Sequence, residues 1–116
     1  MAPVIGITSQ RRDVATSYGA QPATTVTLSY SDSVIGAGGV PVVLPILEPE
    51  SVPYALRRFD GLVLTGGGDI SPDAYGGEGH PAIYGLHEDR DRSELAVARY
   101  AAEHKMPVLA ICRGTQ

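Results

Sequence analysis

Short apolar runs alternate along this chain with amphipathic stretches. Val4-Ile5-Gly6-Ile7-Thr8, Val40-Pro41-Val42-Val43-Leu44, Leu62-Val63-Leu64-Thr65 and Val108-Leu109-Ala110-Ile111 are runs of aliphatic and β-branched residues with no polar alternation. Each predicts a strand, and the first, third and fourth predict buried ones. Proline near the start of the second run is tolerable there. Between the first two runs, Leu28, Tyr30, Val34, Ile35 and Ala37 recur at a spacing of three to four and predict a helix that stops at Gly38-Gly39. Val52, Ala55, Leu56 and Phe59 give the stripe of a second helix, with Ser51 placed to cap it. Asp91 and Glu94 have capping-box spacing, and Leu95, Ala98 and Ala102 form an apolar face on a third helix that stops before Pro107. Ser9 to Thr25 is polar and unpatterned and reads as a long loop, as does Gly66 to about Arg90. The order β-α-β-α-β-loop-α-β implies a mainly parallel sheet with helices on both faces.

Composition narrows the class. With 43% hydrophobic and 19% charged residues over 116 positions, the chain is globular and holds one domain. A net charge of −4 with no basic stretch argues against a nucleic-acid partner. No apolar run reaches the roughly 18 residues of a membrane span, and no membrane partner is expected. The start has neither a basic segment nor a long apolar one of the signal-peptide kind. A lone cysteine, Cys112, excludes an intrachain disulfide and fits a reducing, cytoplasmic location.

Ligands of open α/β sheets bind beyond the carboxyl ends of the strands. Two unusual segments lie there: Thr65-Gly66-Gly67-Gly68-Asp69 and Ile111-Cys112-Arg113-Gly114. A strand, a nucleophile, a small residue two places on and then a helix is the layout of a nucleophile elbow. Helix-start N–H groups would favour the thiolate. A small buried side chain is the competing reading of Cys112. The glycines let backbone N–H groups approach a ligand, as an oxyanion site requires. Flexible surface loop and phosphate cradle compete with that reading. The absence of Gly-Lys-Ser/Thr and the presence of Asp69 disfavour phosphate. A cysteine nucleophile needs a base. His80 and His87 in the long loop are candidates, whereas His104 falls at the far end of the third helix. His and Cys show no zinc spacing, so no metal is expected. Arg90-Asp91-Arg92 reads as a solvated helix start, with Arg90 able to reach a substrate carboxylate.

Several motifs in order carry a family resemblance. They are Leu62 to Pro72, Tyr75-Gly76, Arg90-Asp91 with Glu94-Leu95, and Pro107 to Gln116, preceded by Pro3 to Thr8, Tyr30 and Gly38 to Pro45. Together they resemble the class I glutamine amidotransferase-like hydrolases, and within them the γ-glutamyl-γ-aminobutyrate hydrolases of peptidase family C26. The resemblance implies a flavodoxin-like three-layer α/β/α sandwich. It implies a Cys112 nucleophile that forms a γ-glutamyl thioester, and an oxyanion hole from Gly67 and the Arg113 N–H. Gln116 and Gly66 would contact the glutamyl group. Neither metal nor organic cofactor is implied. The family carries its catalytic histidine and acid downstream of the cysteine. Residues 1–116 would then be the N-terminal part of a single, C-terminally incomplete domain, inactive alone and prone to aggregate at its open sheet edge. The expected partner is a small γ-glutamyl substrate, and a homo-oligomer is among the assemblies open to the chain. Two other readings stand beside this one: the glutaminase part of a biosynthetic amidotransferase, and a non-catalytic flavodoxin-like module with a redox-sensing cysteine.

Overall fold

A computed structural model describes residues 1–67 and 88–115. The apolar runs become β1 (Val4–Thr8), β4 (Val40–Leu44), β5 (Gly61–Leu64) and β6 (Val108–Ala110), all parallel in one sheet of order β4-β1-β5-β6. Counting only these four strands, sequence order one to four becomes spatial order 2-1-3-4, as in flavodoxin-like doubly wound sheets. The protein has an α/β fold of this flavodoxin-like kind.

Alternation along the strands sorts residues between two faces. In register, Ile7 lies beside Val43 and Val63, while Leu62 and Leu64 lie beside Val108 and Ala110. Leu62, Leu64 and Leu44 pack with Val52 and Leu56 of α2 (Val52–Leu56) and Val97 and Ala101 of α3 (Glu88–Glu103) in the main core. α1 (Leu28–Gly36) lies over the other face, where Val34 shares a cavity with Ile5, Val63 and Leu109. α1 ends as the glycines imply, with Gly39 N–H donating to Val34 O at 2.9 Å and Gly38 at φ +92°. Among the described residues no helix is long and apolar enough to cross a membrane.

Five expectations change. The fourth apolar run is not a buried strand: β6 is mostly exposed, because it lies at the edge of the sheet of described residues. Residues 10–25 are not a loop: β2 (Gln10–Thr16) and β3 (Gly19–Thr25) pair antiparallel in a separate hairpin. Nearly every hairpin residue is at least partly exposed, so neither face carries an apolar stripe to betray it. Ser51 has helical φ and ψ and makes no side-chain cap bond, because a 3₁₀ turn over Pro49–Ser51 runs directly into α2. α3 starts at Glu88, three residues ahead of Asp91, so Asp91 and Glu94 are not a capping box. The inward stripe of α3 is Arg90, Ser93, Val97 and Ala101, whereas Ala98 and Ala102 are exposed. Two polar residues sit on the buried stripe, which shifted the apparent apolar face by one position.

Candidate active site

The carboxyl ends of β1, β5 and β6 are tied together before any site residue is reached. Thr65 N–H donates to Thr8 Oγ1 at 3.0 Å, and Thr65 Oγ1 donates to Thr8 O at 3.0 Å. Ser9 Oγ caps the neighbouring strand through Leu44 O at 2.7 Å. Ile111 N–H donates to Leu64 O at 3.0 Å and extends the ladder to the residue before the cysteine.

There the chain turns sharply. Cys112 has φ +53°, a left-handed conformation unusual for any residue but glycine, Asn or Asp. It opens a 3₁₀ turn over Cys112–Thr115, closed by Gly114 N–H to Ile111 O at 3.0 Å. A left-handed non-glycine residue costs of order 1–3 kcal/mol and persists where its surroundings impose it. Two residues on, the turn packs against Leu64. A Cβ on Gly114 would stand 2.6 Å from Leu64 O and 2.7 Å from Leu64 Cβ. The turn therefore passes over the end of β5 only because residue 114 has no side chain. Cys112 is exposed at the top of this elbow.

The glycine turn after β5 adjoins it. A point one Cβ bond from Gly66 lies 3.6 Å from Cys112 Cβ and 3.3 Å from Tyr30 Oη. Gly66 N–H donates to Tyr30 Oη at 3.0 Å. Gly67 has φ +145°, and a side chain there would meet the Arg90 guanidinium and Gln10 Nε2. Cys112, Arg113, Gly66 and Gly67 are thus brought together. Gln116, the remaining residue expected to touch substrate, lies outside the described residues, as do His80, His87, Gly68 and Asp69. His104 is exposed, stacked on Tyr100 with ring centroids 3.9 Å apart, at the end of α3 that leads into the start of β6. That is the opposite end of the sheet from Cys112.

Arg90 is not a solvated helix residue: it is 3% exposed. Its Nη2 donates to Gly66 O at 2.9 Å and Thr65 O at 3.1 Å, and its Nε lies 3.3 Å from Glu94 Oε2. Arg113 is 1% exposed, with Nη2 on Asp91 Oδ1 and Nε on Glu94 Oε2, both at 2.8 Å. Burial lowers the Arg90 pKa from its ordinary value, Glu94 opposes that shift, and the Arg113 charge adds to it. The first turns of α3 therefore grip the segments after both strands. Sequence reading missed this cluster, although four charged residues around apolar helix and strand positions were its signal. Among the described residues no three His, Cys, Asp or Glu side chains gather as a metal site. A cavity of about 200 Å³ beside the glycine turn is lined by Gln10, Arg12, Thr25, Thr27 and Tyr30.

The sequence profile of peptidase C26 matches residues 3–116. The chain belongs to the peptidase C26 family. The chain is 44% identical, over 98% of its length, to Rv2859c of Mycobacterium tuberculosis, a proposed glutamine amidotransferase, of which it covers 38%. It is 34% identical over its whole length to the protein NtpR of Enterococcus hirae, covering 49% of that chain. It is 32% identical over 98% of its length to the γ-glutamyl-γ-aminobutyrate hydrolase PuuD of Escherichia coli K12, covering 44% of it. This C26 chain thus spans less than half the length of these relatives. The family match takes in both the glycine turn after β5 and the elbow at Cys112.

Proposed function

We propose that this chain supplies the nucleophile and the oxyanion donors of a hydrolase that cleaves γ-glutamyl amides. The observation that carries the reading is the left-handed Cys112, raised on an elbow that only Gly114 permits and set beside Gly66. Cys112 Sγ attacks the γ-carbonyl carbon, and the C=O electron pair moves to oxygen. The Gly67 and Arg113 N–H groups stabilise that oxyanion. The C–N bond then breaks, the amine leaves with a proton from the general acid, and a γ-glutamyl thioester remains. Water hydrolyses it to glutamate and the thiol. The acid–base group belongs, by resemblance, to a histidine downstream of Cys112. One relative is named for γ-glutamyl-γ-aminobutyrate, which favours an amine of that kind as the leaving group. A cytoplasmic location follows from the need to keep the single thiol reduced.

Another relative's assignment as an amidotransferase, at 44% identity, favours a second reading in which glutamine is the substrate and the ammonia is used by a partner. One assay separates the two. The full-length protein is given γ-glutamyl-γ-aminobutyrate and glutamine in parallel, and amine release is followed with and without Cys112→Ala. We expect preference for the former, loss of turnover in the variant, and a γ-glutamyl adduct on Cys112 in quenched samples. Preference for glutamine would support the second reading. Turnover surviving Cys112→Ala, or a cysteine that never acquires the adduct, would overturn the thioester mechanism.

A further inference from the structure

We infer that Arg90 is a positioning residue for the oxyanion site, acting through the carbonyls of Thr65 and Gly66. This inference rests on the hydrolase reading above. In a strand, successive carbonyls point to opposite sides. Here the carbonyls of Thr65 and Gly66 converge on one atom, Arg90 Nη2, at 3.1 and 2.9 Å. Two carbonyl dipoles aimed at one point repel unless a cation lies between them, and the buried guanidinium is that cation. Gln10 Nε2 donates to the same Gly66 carbonyl at 3.1 Å from the hairpin side.

The consequence falls on the N–H groups. In a planar trans peptide the N–H points opposite to the C=O. The peptide joining Thr65 to Gly66 shows it: its carbonyl faces Arg90, and its N–H donates to Tyr30 Oη at 3.0 Å. The next peptide obeys the same geometry. Its carbonyl faces Arg90 and Gln10, so the Gly67 N–H is turned away from the buried guanidinium. The turn needs φ +145° at Gly67, and a Cβ there would collide with Arg90 itself. Arg90 and a side chain at position 67 therefore exclude each other.

The second donor is referred to the same helix. Arg113, whose backbone N–H follows the nucleophile, is held by Asp91 and by Glu94, and Glu94 also pairs with Arg90. One carboxylate thus couples the two segments that carry the donors. Catalysis is sensitive to this kind of placement, since a misplacement of about 1 Å can cost roughly 10²-fold in rate.

Substituting Gly67 cannot test its N–H cleanly, because any side chain moves the turn. Arg90→Met can. It leaves Glu94 paired with Arg113 at 2.8 Å, so no carboxylate is stranded. In the full-length protein we expect kcat to fall roughly 10²-fold with KM within about threefold, the pattern of an interaction made in the transition state. Affinity for a γ-glutamyl aldehyde should fall in parallel. Its adduct forms a C–S bond to Cys112 and places the former carbonyl oxygen in the oxyanion site. The rate of Cys112 alkylation by iodoacetamide, which uses no oxyanion donor, should stay unchanged. Arg90→Lys, which keeps the charge but not the fork, should lie between the two. Gln10→Leu, at the partly buried hairpin base, should show the same signature about threefold to tenfold in size and serves if the Arg90 variants fail to fold. Unchanged kcat, or losses shared equally by KM and alkylation, would overturn the inference. Absence of Cys112-dependent turnover in the wild type would instead overturn the hydrolase reading.

Discussion

Among the described residues, the face of the sheet that meets α2 and α3 is closed, whereas the face that meets α1 is open. On the closed face, Val52, Leu56, Leu62 and Val97 are at most 2% exposed. At its carboxyl end that face grades into the buried cluster of Arg90, Asp91, Glu94 and Arg113. On the other face, a cavity of about 580 Å³ runs between α1 and the strands, lined by Ile5, Val34, Val63, Leu109 and Ile111. Leu109 is 60% exposed, and β6 forms the adjacent edge of the sheet. Both faces are apolar, so hydropathy alone does not distinguish them. The difference is one of cover. The closed face has its two helices within the described residues, and they bury Arg90, Asp91 and Arg113 almost fully. Among the described residues, the segments after β5 and β6 are thus tied to α3 on the closed side, and Cys112 is exposed.

The largest expected effect lies in the cluster. Arg113→Met removes two buried ion pairs at once, to Asp91 Oδ1 and to Glu94 Oε2, both at 2.8 Å. Breaking a buried pair from one side costs about 3–5 kcal/mol. Urea unfolding should show a loss of that size with an unchanged slope. A loss below about 1 kcal/mol would mean that water reaches the cluster and that the closed face is not closed.

That cluster also marks where sequence reading reached its limit. Strand boundaries were legible because a parallel strand covered on both faces must be continuously apolar, as at Leu62 to Leu64. The elbow was legible because a strand, a cysteine and a glycine two residues on mark a sharp turn, although a small buried side chain was a competing reading of Cys112. The hairpin was hidden, since an exposed two-stranded ribbon has no buried face to pattern. Asp91 and Glu94 misled for a physical reason. A spacing of three places two carboxylates on the same side of a helix whether they cap its start or receive an arginine from the turn after a neighbouring strand. Only the tertiary position of Arg113 decides between these, and the one-dimensional pattern does not contain it.

A smaller effect probes packing on the closed face. A Cβ on Gly6 would lie 2.5 Å from the Phe59 ring and 3.0 Å from Leu62 Cδ2. Gly6→Ala should therefore destabilise by about 1–3 kcal/mol, the usual cost of overpacking. The matching change on the open side runs the other way. Gly36, in the last turn of α1, has nothing within 4 Å of its Cβ position. Gly36→Ala should stabilise by about 0.4–1 kcal/mol by restricting the unfolded chain. Equal signs for the two variants in thermal melts would remove the contrast between the faces.

The smallest stability effect is expected at the edge of the open face. Leu109 is 60% exposed, so Leu109→Lys in the 116-residue chain removes little buried apolar area and should change stability by no more than about 0.5 kcal/mol. Its effect on association should be larger. An apolar patch next to an unpaired strand edge favours self-association, and a lysine there opposes it through charge and desolvation. Light scattering at increasing concentration should show less association for the variant than for the parent chain. The same substitution in a polypeptide of the relatives' full length gives the sharper reading. If added chain covers this face, the lysine is buried there and the cost rises to several kcal/mol. If the cost stays near zero in both, the face is open in the longer protein too, and the cavity along α1 faces solvent.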